Sequence, residues 1–318
     1  MTILQLTYIL KIAETGSMNK AAEQLYISQP ALTSAVKELE KELGIALFHR
    51  TSRGIVLTGE GEDLLVYARQ ILQDCEVLKD RCSSGSRKRK FAVSAQHYSF
   101  VDKAFVETVK AFGAQNFEFA LRETQTLTVI RDVGELRSEI GVLFMSDYNR
   151  KVIRRHLDKY ELEFCPLIEC RACVYLWKGH PLAGRKSIRW EDLKDYPCLT
   201  FEQGTSSSSF YSEEILTEKN YDRLIYTNDR ATNLNLMVGL NAYMLCSGII
   251  CEELNGSDYL AIPYAGGDGD AGSSMEIGYI RKKGLSFSAV GETFVSEMKA
   301  YLASLGSEKK SLLPAETV

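Results

Sequence analysis

The sequence predicts an α/β protein with an N-terminal winged helix-turn-helix, a linker helix, and a C-terminal receptor of two α/β lobes. Three observations predict it. Three short amphipathic helices and a hairpin fill the first 58 residues, a long apolar-striped helix follows, and strands alternate with helices from about residue 90. At 318 residues the chain exceeds what one core usually supports, so two domains or more are expected. With 45% hydrophobic and 25% charged residues, neither a disordered nor a fibrous chain fits.

Leu6, Ile9, Leu10 and Ala13 recur at helical spacing up to Thr15-Gly16-Ser17, where Gly16 suits a left-handed cap and Ser17 can cap the next helix, Met18 to Leu25. Ser28 is a good N-cap for a third helix and Pro30 sits in its first turn, where a missing N–H costs nothing. That helix ends at Gly44. Its Leu32, Val36, Leu39 and Leu43 form one stripe, with Gln29, Thr33, Ser34 and Lys37 on the other side. Leu47-Phe48 and Ile55-Val56-Leu57, separated by Thr51 to Gly54, read as a small hairpin or wing. From Thr58 a helix carries Leu64, Leu65, Ala68, Ile71, Leu72, Cys75 and Leu78 to the Ser83–Ser86 turn. Such a stripe invites pairing with a second copy, the alternative being packing against the chain's own body.

Beyond the basic tetrad Arg87 to Lys90, strands are expected at 91–95, 117–121 and 140–144, with helices at 100–112 and 127–138 between them, the pattern of a mainly parallel sheet. After strand-rich residues 161–178 a second set follows: strands at 198–201 and 224–226, helices at 207–216 and 232–240. The chain returns through 275–280 to a last helix near 290–305. Two lobes sharing crossing segments suggest a hinged clamshell. The domains are therefore 1–58, 59–86 and 87–318.

Composition narrows the function only a little. Residues 1–90 hold 13 Lys+Arg against 11 Asp+Glu, a balance of +2, which leaves −6 for the remainder of a chain at −4. This is a mild sign of an anion-facing head on an acidic body. The longest nearly apolar stretch, Leu236 to Ile250, is interrupted by Asn241 and Ser247 and too short for a membrane helix. The N-terminus lacks a secretory signal, so a cytoplasmic protein with eight reduced cysteines is expected.

Helices two and three joined by a tight turn and followed by a wing match the geometry that lays a recognition helix in the major groove of double-stranded DNA; a small helical dimerisation domain is the plainer reading. The outward residues favour DNA. Gln29, Thr33 and Ser34 can hydrogen-bond base edges, while Lys37, Arg50 and Arg53 can neutralise phosphates.

The runs Ala21-Ala22-Glu23-Gln24-Leu25, Ser28-Gln29-Pro30-Ala31-Leu32, Leu39-Glu40, Leu43-Gly44, Leu47-Phe48-His49-Arg50 and Leu57-Thr58-Gly59-Glu60-Gly61 resemble the N-terminal region of LysR-type transcriptional regulators over residues 1 to about 83. His180-Pro181-Leu182-Ala183 and Trp190-Glu191-Asp192-Leu193 resemble that family's effector domain less sharply. The resemblance implies a periplasmic-binding-protein-like effector domain, a homodimer through an antiparallel linker helix, a homotetramer on promoter DNA, and RNA polymerase as a further partner. It places Gln29, Pro30, Thr33 and Ser34 at bases, with Arg50 and Arg53 at the wing. Ser34 stands where a longer side chain is frequent, and Asn19 where Thr or Ser is usual, which alters one phosphate contact.

In a two-lobed receptor the ligand lies at strand ends and helix N-termini, where N–H groups favour an anion. Ser94, Gln96 and His97 after the first strand, Thr126 before the second helix, Gln203, Gly204, Thr205 and Ser206 before a later one, and Ser247 are the candidates. Each also suits an ordinary cap. Together they suggest a small-molecule coinducer that is a carboxylate or other oxyanion, with His97 as a pH-sensitive donor. No cofactor and no metal are implied.

Cys165, Cys170 and Cys173 could tempt a metal reading, but Cys170 and Cys173 are an odd step apart in a strand-like run and would face opposite ways, so buried structural thiols are expected. Redox sensing through Cys198 or Cys246 stays open. Gly267 to Gly272 fits G-x-G-x-x-G in an acidic loop before a strand, Gly179 to Arg185 has Arg where a phosphate loop needs Lys, and Ser34 to Lys37 fits S-x-x-K only on the recognition helix. None of the four His has H-E-x-x-H spacing. The expectation is thus a ligand-responsive regulator without catalysis. An enzyme using the interlobe cleft and a solute receptor without DNA work are the alternatives.

Overall fold

The computed structural model describes residues 1–51, 54–82, 88–114, 116–204, 208–266 and 274–309. It divides into two compact units, Met1–Arg87 and Lys88–Val318. In the first, α1 (Ile3–Thr15) opens with a capping box between Thr2 and Gln5 and closes on Gly16 at φ 60°. Ser17 caps α2 (Met18–Gln24), Ser28 caps α3 (Gln29–Leu43), and Gly44 ends α3 at φ 70°. Leu6, Ile9, Ile12, Ala21, Ala22, Leu32, Val36, Leu39 and Leu47 close one core. The wing is the antiparallel pair β1 (Phe48–Thr51) and β2 (Gly54–Leu57). α4 (Gly59–Cys82) contributes Leu65 and Ala68 to that core but leaves Tyr67 and Leu78 exposed. The Ser83–Ser86 turn lies outside the described residues.

The second unit follows the expected order with instructive departures. β3 (Arg89–Ala95), α5 (Ser99–Phe112), β4 (Phe117–Glu123), α6 (Thr126–Gly134) and β5 (Ile140–Met145) build a βαβαβ set in which β3 runs parallel to both β4 and β5. α6 stops at Gly134 rather than at residue 138, because the Asp132 carbonyl accepts both the Arg137 and Ser138 N–H groups and Leu136 turns to φ 56°. α7 (Arg150–Lys159), too charged to stand out in the sequence, buries only Ile153 and Leu157.

β6 (Leu162–Arg171) leaves this lobe, and after Ala172 the chain enters the second as β7 (Cys173–Trp177). There α8 (Trp190–Leu193), β8 (Cys198–Phe201), β9 (Leu224–Thr227), α9 (Arg230–Leu240), β10 (Met244–Cys246), α10 (Glu252–Asn255) and β11 (Tyr259–Pro263) follow. β7 lies between β10 and β11 in an antiparallel sheet, and β8 pairs with β9 in parallel. The return strand β12 (Ser274–Lys282) re-enters the first lobe antiparallel to β5 and β6, giving the order β4-β3-β5-β12-β6. The expected mainly parallel sheet is therefore mixed: a chain that leaves a sheet along one strand and comes back beside it must run the other way. α11 (Ala289–Lys309) packs on α5.

One expected helix is absent. Residues 208–216 hold only a single 3₁₀ turn, Ser209–Tyr211, before Glu213 and Glu214. A run of serines has little helix propensity, and both glutamate side chains turn inward to bond distant groups. The argument that a helix N-terminus at 203–206 would hold an anion falls with that helix.

Candidate DNA-binding face and effector cavity

On α3 the apolar stripe Leu32, Val36 and Leu39 is buried, which leaves Pro30, Ser34 and Lys37 exposed on the other side. The Ser28 hydroxyl accepts from the Ala31 N–H and fixes the first turn. One turn apart, the Gln29 amide donates to the Thr33 hydroxyl at 2.7 Å, so the two polar side chains are held as a pair. Glu40 accepts the Leu47 N–H at 2.8 Å and ties the wing to the inner face of α3. The wing docks closely: the Ile55 N–H donates to the Gly16 carbonyl, and Gly54, at φ 131°, has no room for a side chain beside the same oxygen.

Asn19 is exposed on α2, and Arg50 is placed in β1 by its backbone; Arg53 lies outside the described residues. The sequence reading missed Tyr26. It sits in the α2–α3 turn at φ 56° and is 96% exposed, an aromatic beside the polar face of α3. Its one signal was position, directly before the Ser28 cap.

In the second unit a cavity of about 90 Å³ opens between the lobes. Tyr98, Ser99 and Met275 of the first lobe and Tyr175, Phe201, Met244, Cys246 and Ser247 of the second are among its walls, with His97, Glu213, Glu214 and Arg230 as its charged groups. Of the described candidates from the sequence, His97 and Ser247 line it, and Ser94, Gln96, Thr126, Gln203 and Gly204 do not. Ser94 is fully buried and spent on Asp132 and Ser138. Gln96, equally buried, donates to Thr126 and accepts from the Phe144 N–H and the Tyr98 hydroxyl.

Thr126 in turn donates to the Tyr211 carbonyl at 2.7 Å, and its N–H is taken by the Gln203 side chain, so the first N–H of α6 is occupied. Gln203 also donates to Glu213. These residues form a polar strap between the lobes. Gly204 stands at φ 63° with the Gln125 amide against it, a conformation that favours glycine; Thr205 and Ser206 lie outside the described residues, as does the loop 267–272.

His97 is locked to Glu213 by two bonds, its N–H at 2.9 Å and its Nδ1 at 2.7 Å, and its ring stacks on Phe201 with centroids 3.7 Å apart. Burial pulls the His97 pKa down, but the hydrogen bond and charge of Glu213 outweigh it and the net shift is upward. Glu214 accepts from the Phe201 N–H and the Thr200 hydroxyl; burial first, and the neighbouring Glu213 charge second, push its carboxyl up to about 7. The Arg230 guanidinium is paired with Asp102 and Glu123. The Tyr175 hydroxyl is buried with no hydrogen-bond partner.

Cys198 is buried, and burial drives its thiol far above the ordinary range, so it is held as a thiol. Cys170 is buried opposite Met275 and Cys173 lies beyond the strand break at Ala172. No cluster with metal-ligand character occurs among the described residues, and no helix among them is long and apolar enough to cross a membrane.

A helix-turn-helix with a wing, followed by a two-lobed domain with a cavity between its lobes, defines a DNA-binding regulator that carries an effector domain. The chain belongs to the LysR family of transcriptional regulators. The sequence profile of the bacterial regulatory helix-turn-helix protein, lysR family, matches residues 3–62, and that of the LysR substrate binding domain matches residues 107–228. The chain is 28% identical over 269 residues to a probable nitrogen assimilation transcriptional activator of Synechocystis sp., covering 82% of this chain and 78% of that one. It is 31% identical over 206 residues to the regulator AlsR of Bacillus subtilis, covering 63% and 64%. A full-length OxyR variant from Pseudomonas aeruginosa has the same fold, with a TM-score of 0.63 at 16% identity over 94% of this chain and 95% of that one.

Proposed function

We propose that residues 1–58 bind promoter DNA, that residues 59–86 pair two chains, and that residues 87–318 bind the effector. The observation that carries the DNA role is the two-sidedness of α3, buried along Leu32, Val36 and Leu39 and carrying the polar Gln29, Thr33, Ser34 and Lys37, with the exposed Pro30, on its other side. Gln29, Thr33 and Ser34 read base edges with Pro30 against them, while Asn19, Ser28, Lys37, Arg50 and Arg53 position the phosphates. The exposed Tyr67 and Leu78 of α4 support a homodimer, and two dimers make the tetramer. A DNA-bound regulator works in the cytoplasm and touches RNA polymerase there; catalysis forms no part of this role.

Selection of protected genomic fragments, followed by salt titration on the selected and on random duplexes, tests the reading. Sequence-selective, salt-sensitive binding is expected. Equal affinity for both duplexes would overturn it.

Effector binding at the interlobe cavity shifts the balance between lobe arrangements and so the placement of paired heads. His97 and Ser247 line that cavity, and Gln96, Thr126, Gln203 and Gly204 support it through the strap. Thr205 and Ser206, which follow Gly204, complete the candidate set, whereas Ser94 supports the first lobe from within. The carboxylate or oxyanion expected from the loops meets no unengaged cation among the described lining residues, since His97 and Arg230 are both held by carboxylates.

One observation favours a second, redox-responsive reading. Cys246 in the cavity wall is the direct partner of Cys173 across the antiparallel β7–β10 pair, so the two side chains share a face. A peroxide would take two electrons and two protons from the two thiols to leave a disulfide and water. Non-reducing peptide mass spectrometry after peroxide treatment decides it. A Cys173–Cys246 cross-link that changes DNA binding supports this reading, and unchanged DNA binding removes it.

A further inference from the structure

We infer that the interlobe cavity selects a small uncharged ligand and that the Tyr175 hydroxyl is its specificity-determining hydrogen-bonding group. The inference rests on the reading of that cavity as the effector site. Every charged group in its walls is already engaged with the protein. One Glu213 oxygen accepts from the His97 N–H and ring, and the other accepts from Gln203; both Glu214 oxygens accept from Thr200 and Phe201. Arg230 faces two carboxylates, Asp102 and Glu123.

Counting the lining groups with the two carboxylates that hold Arg230, His97 and Arg230 give at most two positive charges, against three negative ones on Glu213, Asp102 and Glu123 and a fourth wherever Glu214 is ionised. An anion entering this space meets a net negative surround and must break one of those pairs to gain a partner, a cost that grows where water is excluded. A cation is drawn by the same surround, but each carboxylate it meets is already bonded, so it too must displace a protein partner and lose its own hydration.

The rest of the described lining is mostly apolar, with Ser99, Ser247 and Asn255 among its uncharged polar members; Ser99 and Ser247 each accept a backbone N–H, and here the Tyr175 hydroxyl stands out. It is the one side-chain oxygen among the described residues that is buried without a hydrogen-bond partner. Buried polar groups are rarely left so, because each costs desolvation without return. The β7–β10 register places the Tyr175 side chain in the cavity wall: Tyr175 lies directly opposite Met244, one step along the same face from Cys173 opposite Cys246, and Met244 and Cys246 also line the cavity. At about 90 Å³ the space admits only a few heavy atoms unless the lobes part.

The test uses the full chain carrying ¹³C-methyl methionine, because Met244 and Met275 are among only seven methionines and both line the cavity. Butan-1-ol, butanoate and butan-1-amine are titrated as probes of nearly equal shape and different charge. Butan-1-ol is expected to move the Met244 and Met275 resonances saturably, with the two charged probes at least tenfold weaker. Tyr175→Phe, which keeps the ring and the fold, should weaken butan-1-ol about three- to tenfold, the range of one hydrogen bond. The inference is overturned if butanoate or butan-1-amine binds as tightly, if Tyr175→Phe changes nothing, or if butan-1-ol gives no saturable shift. Selective DNA binding, measured on the same preparation, separates failure of this inference from failure of the regulator reading.

Discussion

Replacing Glu214 by glutamine should change how the second unit responds to pH more than how it folds. The side chain is buried, with its carboxyl pushed up to about 7 by burial and by Glu213, against an ordinary value of 4.5. A carboxyl whose folded pKa lies above its unfolded one binds more protons when folded. Its favourable contribution is complete below 4.5 and is lost as pH rises through about 7. The difference of about 2.5 pKa units is worth about 3 kcal/mol, of which about 2 kcal/mol falls between pH 5.5 and 8.5.

The neutral amide of Glu214→Gln matches the protonated carboxyl in shape and keeps an acceptor for the Phe201 N–H, and the Thr200 hydroxyl can reverse its bond. Wild type should therefore lose about 2 kcal/mol relative to the variant between pH 5.5 and 8.5. Taking the difference between the two proteins at each pH cancels the other raised groups, Glu123 and Glu139, which burial raises, and His97, which Glu213 raises against the effect of burial. Urea unfolding followed by tryptophan fluorescence is the assay, since the only two tryptophans, Trp177 and Trp190, both lie in the second unit. A difference independent of pH, or one that moves in favour of the wild type as pH rises, would refute the account of Glu214 as a buried, proton-holding carboxyl.

Four further outcomes follow from the geometry. Gln29→Ala should cost about 1 to 3 kcal/mol at one base-pair position, read by binding to singly substituted operators, and a uniform loss across all positions would contradict the base-edge role. Lys37→Ala should weaken all duplexes alike and lower the salt slope by about one, measured by titration between low and moderate salt. Leu32→Ala, in the fully buried stripe of α3, should destabilise the first unit by about 2 to 5 kcal/mol in thermal unfolding and leave the tryptophan-reported transition of the second unit unmoved. Gly61→Ala should disturb the start of α4, because an added Cβ would lie 2.2 Å from the Leu47 carbonyl; a lowered melting temperature checks it, and an unchanged one would show that the wing moves aside freely.

Legibility followed the range of the interactions. The head was readable nearly residue by residue because its determinants are local: Ser17 and Ser28 cap within three residues, Gly16 and Gly44 end helices by their own φ, and Leu32, Val36 and Leu39 share one helical face. Strand 198–201 was likewise visible, as a short apolar run that is buried throughout. The cavity was not, because its chemistry is made across distance. Glu213 and Glu214 sit in a segment whose serines suggested the cap and first turns of a helix, and no local pattern announces that one will reach His97, 116 residues away, or that the other will anchor Thr200 and Phe201. The same two contacts remove the helix whose N-terminus was to hold an anion. The missing helix and the engaged charges therefore share one cause: long-range carboxylate bonds overrode a weak local propensity, and they left a cleft whose described charges pair with one another.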